Sequence, residues 1–277
     1  MTSHQRVAVV TGTSSGIGQE TSLTLARNGF LTYATMRNLN KKENIKSVAE
    51  KENLPVKIMM LDVADDRSVN NTIQSITNET SRIDVLVNNA GYGLMGAFED
   101  LLMEEIKAQF ETNLFGLIRT TQAILPIMRK QNSGVIVNIS SGAGRFGFPG
   151  GSAYVSTKFA VEGLSESMSY ELEPFGIKVI LIEPGFVKTN FHQAMIRSQH
   201  PNSPYSQMMQ KRAAASTQFF QNGSDPELVA KTVLTAINTP NPNLRYLVGK
   251  DVEEWVKSKH SMTDTEFHDM VMKDLSD

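Results

Sequence analysis

The stretch Val7–Glu20, VAVVTGTSSGIGQE, decides the fold. A short valine-rich run, Val7 to Val10, reads as a strand; the turn Thr11–Gly18 follows, and then a helical pattern begins. Strand, glycine turn and helix in that order suit the binding of a dinucleotide. Gly12 allows the tight turn, Gly16 lets backbone amides approach a pyrophosphate, and Gly18 permits close packing of helix on strand. The helix start adds free N–H groups and a positive dipole end. The turn residues Gly12, Thr13, Ser14, Ser15, Gly16, Ile17 and Gly18 are therefore candidate cofactor contacts. The spacing is G-x-x-x-G-x-G rather than G-x-G-x-x-G, so taken alone the turn is also compatible with a purely structural role.

Working outward, six further runs read as strands: Leu31–Met36, Val56–Leu61, Val85–Asn88, Val135–Ser140, Lys178–Ile182 and Leu244–Val248. Most are nearly continuous apolar runs, as in strands covered on both faces. They alternate with helix-length segments, which predicts an α/β fold: a Rossmann-type, doubly wound parallel sheet of about seven strands. Two long helices stand out, Met103–Met128 and Tyr154–Glu173, the second ended by Pro174 and Gly176. Residues 1–277 read as one dinucleotide-binding catalytic domain. The segment Phe191–Gln221, rich in Met, Gln and Ser, interrupts the pattern, and an inserted lid of short helices over residues 190–222 is expected there.

Composition narrows the classes. The chain has 27 basic and 29 acidic residues, well mixed and with no basic stripe, so no nucleic-acid partner is expected. It has no cysteine, which excludes disulfides, thiol catalysis and cysteine-ligated metals. No histidine spacing suggests a metal site; His192, His200 and His260 read as surface or lid residues. No apolar stretch approaches the roughly 18 residues of a membrane span, and a cytoplasmic protein is expected.

The chemistry lies in NISSGAGRFGFPGGSAYVSTKFAVEG. Tyr154 and Lys158, four apart, share one helix face. A cation beside a phenol is expected to lower its pKa from about 10 and make it a proton donor or acceptor. With a nucleotide site, that implies hydride transfer between a nicotinamide and a carbonyl or alcohol. Asp62, with Val63 after it, ends the third strand, where its carboxylate could meet an adenine amino group or simply cap the next helix. Asn88, Asn89, Ala90 and Gly91 end the fourth strand, as a cleft rim or as a plain turn. The second strand ends Ala34-Thr35-Met36-Arg37-Asn38, without the acid that many NAD sites place there. Arg37 suits a ribose phosphate, which favours NADP (NADPH) with NAD still possible; a solvent-exposed arginine is the plainer alternative.

The ordered set TGxxxGxG, NNAG at Asn88–Gly91, Ser-x12-Tyr-x3-Lys and Pro184-Gly185 resembles the short-chain dehydrogenase/reductase family over residues 5–190. LTYATMRN, AGYGLMGAFEDL, STKFAVEGLSESMSYEL and NPNLRYLVG look like its hydroxysteroid and retinol dehydrogenase branch. The resemblance implies Tyr154 as general acid in reduction and base in oxidation, and Lys158 as the residue that binds the nicotinamide ribose and holds the tyrosine pKa down. It implies Ser141, rather than the adjacent Ser140, as the substrate-oxygen contact, and Asn113 as the anchor of a water that relays protons to Lys158. Asn113 also falls on an apolar stripe with Phe110, Leu114 and Leu117, where a buried amide needs partners. Pro184, Gly185, the Val187 backbone and the Thr189 hydroxyl would hold the carboxamide. Ser152 could serve only as the cap of the helix that follows it.

Gly93, Leu94, Met95, Phe146, Phe148, Phe186, Met195, Met208 and Phe219 are candidate pocket residues, several of them equally readable as core. They suggest a hydrophobic small-molecule carbonyl or alcohol. The resemblance also implies a homo-oligomer, dimer or tetramer, paired through the two long helices, with the charged tail favouring a dimer. Three rival readings are weighed: a non-catalytic nicotinamide-nucleotide-binding regulatory protein of the same fold, against which the intact Ser–Tyr–Lys–Asn set counts; an epimerase/dehydratase relative, against which the glycine spacing and the short C-terminal region count; and a nucleotide-binding methyltransferase, which has no need of Tyr-x3-Lys.

Overall fold

The computed structural model describes residues 5–198, 200 and 202–273. Its centre is a parallel sheet of seven strands: β1 (Val7–Thr11), β2 (Leu31–Met36), β3 (Val56–Met60), β4 (Val85–Asn88), β5 (Gly134–Ile139), β6 (Ile177–Pro184) and β7 (Arg245–Val248). Their spatial order is β3-β2-β1-β4-β5-β6-β7, and every pairing is parallel. All seven expected strands are present, with ends displaced by two residues at most.

Alternation along β1 shows why these runs become covered strands. Val7 and Val9 face a core shared with Ile73 and Ile76 of α3 (Asp66–Thr80) and with Ile124 and Met128 of the helix that precedes β5. Ala8 and Val10 face the opposite core, with Leu25 of α1 (Gly16–Arg27) and Val229, Val233 and Ile237 of a late helix, Pro226–Asn238. Ile45 and Ala49 of α2 (Glu43–Lys51) pack with Leu23 of α1 and with Ala34 and Met36 of β2. Both faces are covered, so neither can be polar, and the sequence shows runs instead of alternation.

Strand order reverses between β1 and β4. In such sheets the carboxyl ends on either side of the reversal open into a crevice. Here those ends carry Gly12 and Asn89.

The first long helix is two α-helical pieces, α4 (Met103–Phe110) and α5 (Gly116–Gln131), joined by a π-helical turn at Glu111–Phe115. Asn113 lies in that turn. Such turns often mark functional sites because they redirect side chains within a helix. The second long helix is α6 (Ser152–Leu172), after which Gly176 takes a left-handed φ of 65°. Ser152 is not its cap: the N-cap is Gly151, and the Ser152 hydroxyl is buried without a partner.

The segment 190–222 departs from the expected short helices. A four-residue turn, Phe191–Ala194, precedes one 17-residue helix, α7 (Ser206–Asn222), none of whose residues is fully buried. Ile196 and Arg197 pair with Leu94 and Met95, a two-stranded contact too short to show in the sequence pattern. The chain continues with α8 (Pro226–Asn238), α9 (Lys250–Ser261) and α10 (Asp264–Lys273), where Phe146 and Trp255 stack at 5.3 Å. Among the described residues no helix is long and apolar enough to cross a membrane.

Candidate active site

The glycine turn is held by β4 as much as by its own glycines. Asn89 Nδ2 donates to the carbonyls of Thr11 and Gly12 at 2.9 and 3.0 Å. The backbone amides of Asn89 and Ala90 donate to Thr11 Oγ1. Gly12 and Gly16 take left-handed φ values of 71° and 62°, which side-chain-bearing residues avoid. Gly18 is needed for contact rather than conformation: a Cβ there would lie 2.3 Å from Asn89 Nδ2 and 2.6 Å from the Gly12 carbonyl.

One cleft of about 1560 Å³ runs from this turn across the carboxyl ends of the strands. A pocket for a single small ligand measures about 300–1,000 Å³, so the cleft is large enough for a dinucleotide and a second molecule. Gly12, Ser14, Ser15, Gly16, Ile17, Arg37, Asp62, Val63, Asn89, Ala90, Gly91, Pro184, Gly185, Val187 and Thr189 all line it, with Ser141, Tyr154 and Lys158. Two expected contacts do not. Thr13 is fully buried, its amide and hydroxyl both spent on the Thr35 carbonyl. Gly18 packs beneath the turn, as its spacing implied.

Asp62 is not the helix cap that its position also allowed. Asp65 caps α3, accepting from the amides of Arg67 and Ser68, whereas Asp62 Oδ1 accepts from Ala64 N and the residue remains at the cleft wall. Arg37 is exposed at the end of β2, and Lys41, which sequence reading missed, lines the same end of the cleft.

At the other end the reactive side chains meet. Ser141, just beyond β5, accepts from Ala143 N at 3.1 Å and hydrogen-bonds with Tyr154. Lys158 Nζ donates to the Ile139 carbonyl at 2.8 Å and lies 5.7 Å from the centre of the Tyr154 ring. The expected lowering of the tyrosine pKa is absent: burial pushes the Tyr154 phenol up to about 12, and the Ser141 hydrogen bond offsets only part of this. Burial likewise pushes Lys158 down to about 8, against the opposite pull of Glu162. Withdrawal from water penalises the charged form of both residues more than their proximity helps.

Asn113 does not line the cleft. Its Oδ1 accepts from Tyr92 N at 3.0 Å, and its Nδ2 donates to the Tyr92 carbonyl at 2.9 Å and to Thr157 Oγ1 at 3.3 Å. The amide thus ties the loop after β4 to α6, next to the reactive pair, and its buried polar groups are satisfied.

Of the candidate pocket residues, Met95, Phe146, Phe148, Phe186, Met195 and Phe219 line the cleft. Gly93, Leu94 and Met208 do not. Leu94 is fully buried in a small core with Leu101 and Ala153; Gly93 is taken up by a backbone bond to Ile196; and the register of α7 presents Met209 in place of Met208. Sequence reading missed Phe191 and Phe220. Phe191 lies 5.9 Å from Tyr154 and 6.4 Å from Phe220, and Phe220 meets Phe186 edge-on at 5.0 Å. It also missed Asp251, whose carboxylate accepts from Phe186 N at 2.7 Å and fills the space where a Cβ of Gly185 would be.

A doubly wound parallel sheet with a glycine turn at its switch point defines a Rossmann-type nucleotide-binding protein. Residues 6–200 match the short chain dehydrogenase family model, and the chain belongs to that family. It is 35% identical over 262 residues to the 3-ketodihydrosphingosine reductase of Bacteroides thetaiotaomicron, covering 94% of each chain. It is 36% identical to retinol dehydrogenase 8 of Bos taurus, over 87% of this chain and 80% of that one. It is 35% identical to the 17-beta-hydroxysteroid dehydrogenase type 1 of Homo sapiens, over 87% and 76%.

Among solved structures, a short-chain dehydrogenase from Streptomyces avermitilis superposes with a TM-score of 0.85 at 32% identity, covering 97% of both chains. An alcohol dehydrogenase from Thermococcus sibiricus, complexed with 5-hydroxy-NADP, superposes at 0.73 with 26% identity, covering 88% of this chain and 96% of that one. The protein is therefore an oxidoreductase acting on CH–OH or C=O groups, and its resemblance to the hydroxysteroid and retinol dehydrogenases stands.

Proposed function

We propose that this protein moves hydride between NADP(H) and a hydrophobic carbonyl or alcohol, with Ser141, Tyr154 and Lys158 as the residues that act on the substrate oxygen. The observation that carries this reading is their convergence on one end of the cleft whose other end is formed by the glycine turn and Arg37. The nicotinamide, when bound, supplies or accepts the hydride.

Tyr154 Oη gives its proton to the substrate oxygen in reduction, and Ser141 Oγ donates a second hydrogen bond to it. One such donor contributes about 3–4 kcal/mol where tested, and proton transfer about 10²–10⁴-fold. A phenol held at about 12 is fully protonated at neutral pH, the form that reduction needs. In oxidation Tyr154 takes the proton, and the Lys158 ammonium makes the phenolate less costly. Asn113 keeps the Tyr92 loop and α6 in register.

The residues present fit a dinucleotide. Gly12, Ser14, Ser15, Gly16 and Ile17 would take the pyrophosphate, Asp62 and Val63 the adenine, Asn89, Ala90 and Gly91 the adjoining rim, and Pro184, Gly185, Val187 and Thr189 the carboxamide. Arg37 and Lys41 place two cations where a ribose phosphate would be read, which supports NADP over NAD; the 5-hydroxy-NADP complex of the Thermococcus protein agrees with this choice. The ring series Tyr154, Phe191, Phe220, Phe186 supports a hydrophobic substrate, with residues 190–222 acting as its lid. Phe98, Met103, Phe115, Phe159 and Tyr170 are exposed on or beside α4, α5 and α6, and their burial between two copies would give a homodimer.

The test is Tyr154→Phe, assayed for turnover of hydrophobic carbonyls with NADPH and for NADPH binding by nicotinamide fluorescence. Loss of turnover with binding retained is the expected result, and full turnover refutes the assignment.

A further inference from the structure

Beneath the reactive pair lies a buried charge cluster that the proposed reaction does not use. Glu183, on β6 immediately before Pro184, is fully buried. Arg145, four residues beyond Ser141, meets both of its oxygens through Nη1 at 3.0 and 3.1 Å. Glu162, four residues beyond Lys158 on the same face of α6, is also buried. Arg245 of β7 donates from Nε to Glu162 Oε2 at 2.8 Å and from Nη2 to Glu166 at 2.6 Å, and lies 3.6 Å from Glu183.

Three carboxyls therefore face two guanidiniums, and Lys158, one helical turn before Glu162, adds a third cation. Arg145 Nη2 also lies 3.4 Å from His260 Nε2, and Asp251 of the same helix is engaged by Phe186 N. Two buried polar atoms have no partner, Glu162 Oε1 and Ser140 Oγ, and both border Gly144, where a Cβ would lie 3.2 and 2.9 Å from them. An acceptor buried without a donor is costly. A proton on the pair supplies the missing donor.

We propose that Glu162 and Glu183 hold a single proton between them and that this buried acid pair sets the charge on Lys158, which makes both of them positioning residues for the tyrosine–lysine couple. The proposal rests on the role given above to Tyr154 and Lys158. Burial and the neighbouring Glu162 push Glu183 up to about 7, against the pull of Arg145, so the pair changes charge near neutral pH. Glu162 in turn favours the ammonium of Lys158. As pH rises past neutrality the pair becomes more negative, and Lys158 keeps its proton to higher pH.

The pair is tested without activity by carbon-13 NMR of the cofactor-free protein labelled in glutamate carboxyl and lysine Cε positions. One carboxyl resonance, absent in Glu183→Gln, is expected to titrate near pH 7. If every glutamate titrates below about pH 5.5, the shared proton is refuted. The Lys158 resonance, assigned by its loss in Lys158→Met, is expected to titrate about one pH unit lower in Glu162→Gln. Glu183→Gln removes the charge that the pair gains near pH 7, and should lower the Lys158 titration in the same direction and by less.

The alkaline limb of carbonyl reduction should move to lower pH in both variants, with Glu162→Asp restoring the limb that Glu162→Gln displaces. A merely structural cluster would lower melting temperature in both variants without moving the Lys158 titration, and an unmoved Lys158 titration overturns the link. Full turnover by Tyr154→Phe would refute the catalytic reading, and with it the consequence for reduction, while leaving the carboxyl and lysine titrations to decide the pair.

Discussion

Replacing Lys158 with methionine should make the protein more stable at neutral pH. Lys158 is 8% exposed, and burial lowers its pKa from 10.5 to about 8. At 1.36 kcal/mol per pH unit, that gap corresponds to about 3 kcal/mol. The sign follows from proton counting. Between pH 8 and 10.5 the unfolded chain holds this proton and the folded chain does not, so stability rises with pH across that window and the deficit is complete below it. Methionine has a similar length and removes the buried charge. It also removes the hydrogen bond to the Ile139 carbonyl, at a cost of about 1 kcal/mol.

The net expectation is a gain of about 2 kcal/mol at pH 7, or about 4–8 °C in melting temperature for a chain of this size. Thermal melts followed by circular dichroism at pH 7 and pH 9.5 provide the assay. The gain should be largely gone at the higher pH, where the folded wild-type chain has already lost the proton. A variant no more stable than wild type at pH 7, or a gain that does not depend on pH, would refute the reasoning. The variant should also lose turnover, so that the buried cation is kept at the expense of stability.

Gly18→Ala forces a methyl group against the Gly12 carbonyl and Asn89; it should cost about 1–3 kcal/mol in urea unfolding and displace the turn enough to abolish nucleotide binding. Arg37→Asp should weaken NADPH binding by about 10–100-fold, equivalent to one charge-assisted hydrogen bond, and leave NADH binding unchanged or improved in the same fluorescence titration. Asp251→Ala frees Phe186 N and opens a space beside Gly185; it should raise KM for the cofactor several-fold and lower melting temperature by a few degrees, whereas an unchanged KM would show that α9 does not hold the 184–189 loop.

Local sequence was sufficient for the sheet. Each strand is a short apolar run flanked by turn residues, and that pattern follows from burial on both faces whatever the neighbouring strands are. Spacing was also sufficient to bring Tyr154 and Lys158 onto one face of α6, since helix geometry is local. The glycine turn was legible for the same reason: its left-handed φ values belong to Gly12 and Gly16 themselves.

Tertiary structure decided what depends on contacts distant in sequence. The clamp of Asn89 on Thr11 and Gly12 joins residues 77 and 78 apart, and the seat of Asp251 beside Gly185 joins β6 to α9. Whether Met208 or Met209 faces the cleft depends on how α7 packs, and its weak amphipathic pattern does not record that. The direction of the Tyr154 pKa shift was misjudged from sequence because proximity was legible and burial was not: withdrawal from water raises the phenol and outweighs the nearby cation. The acid pair Glu162–Glu183 was invisible for a related reason, since two glutamates 21 residues apart carry no pattern until α6 and β6 pack against each other.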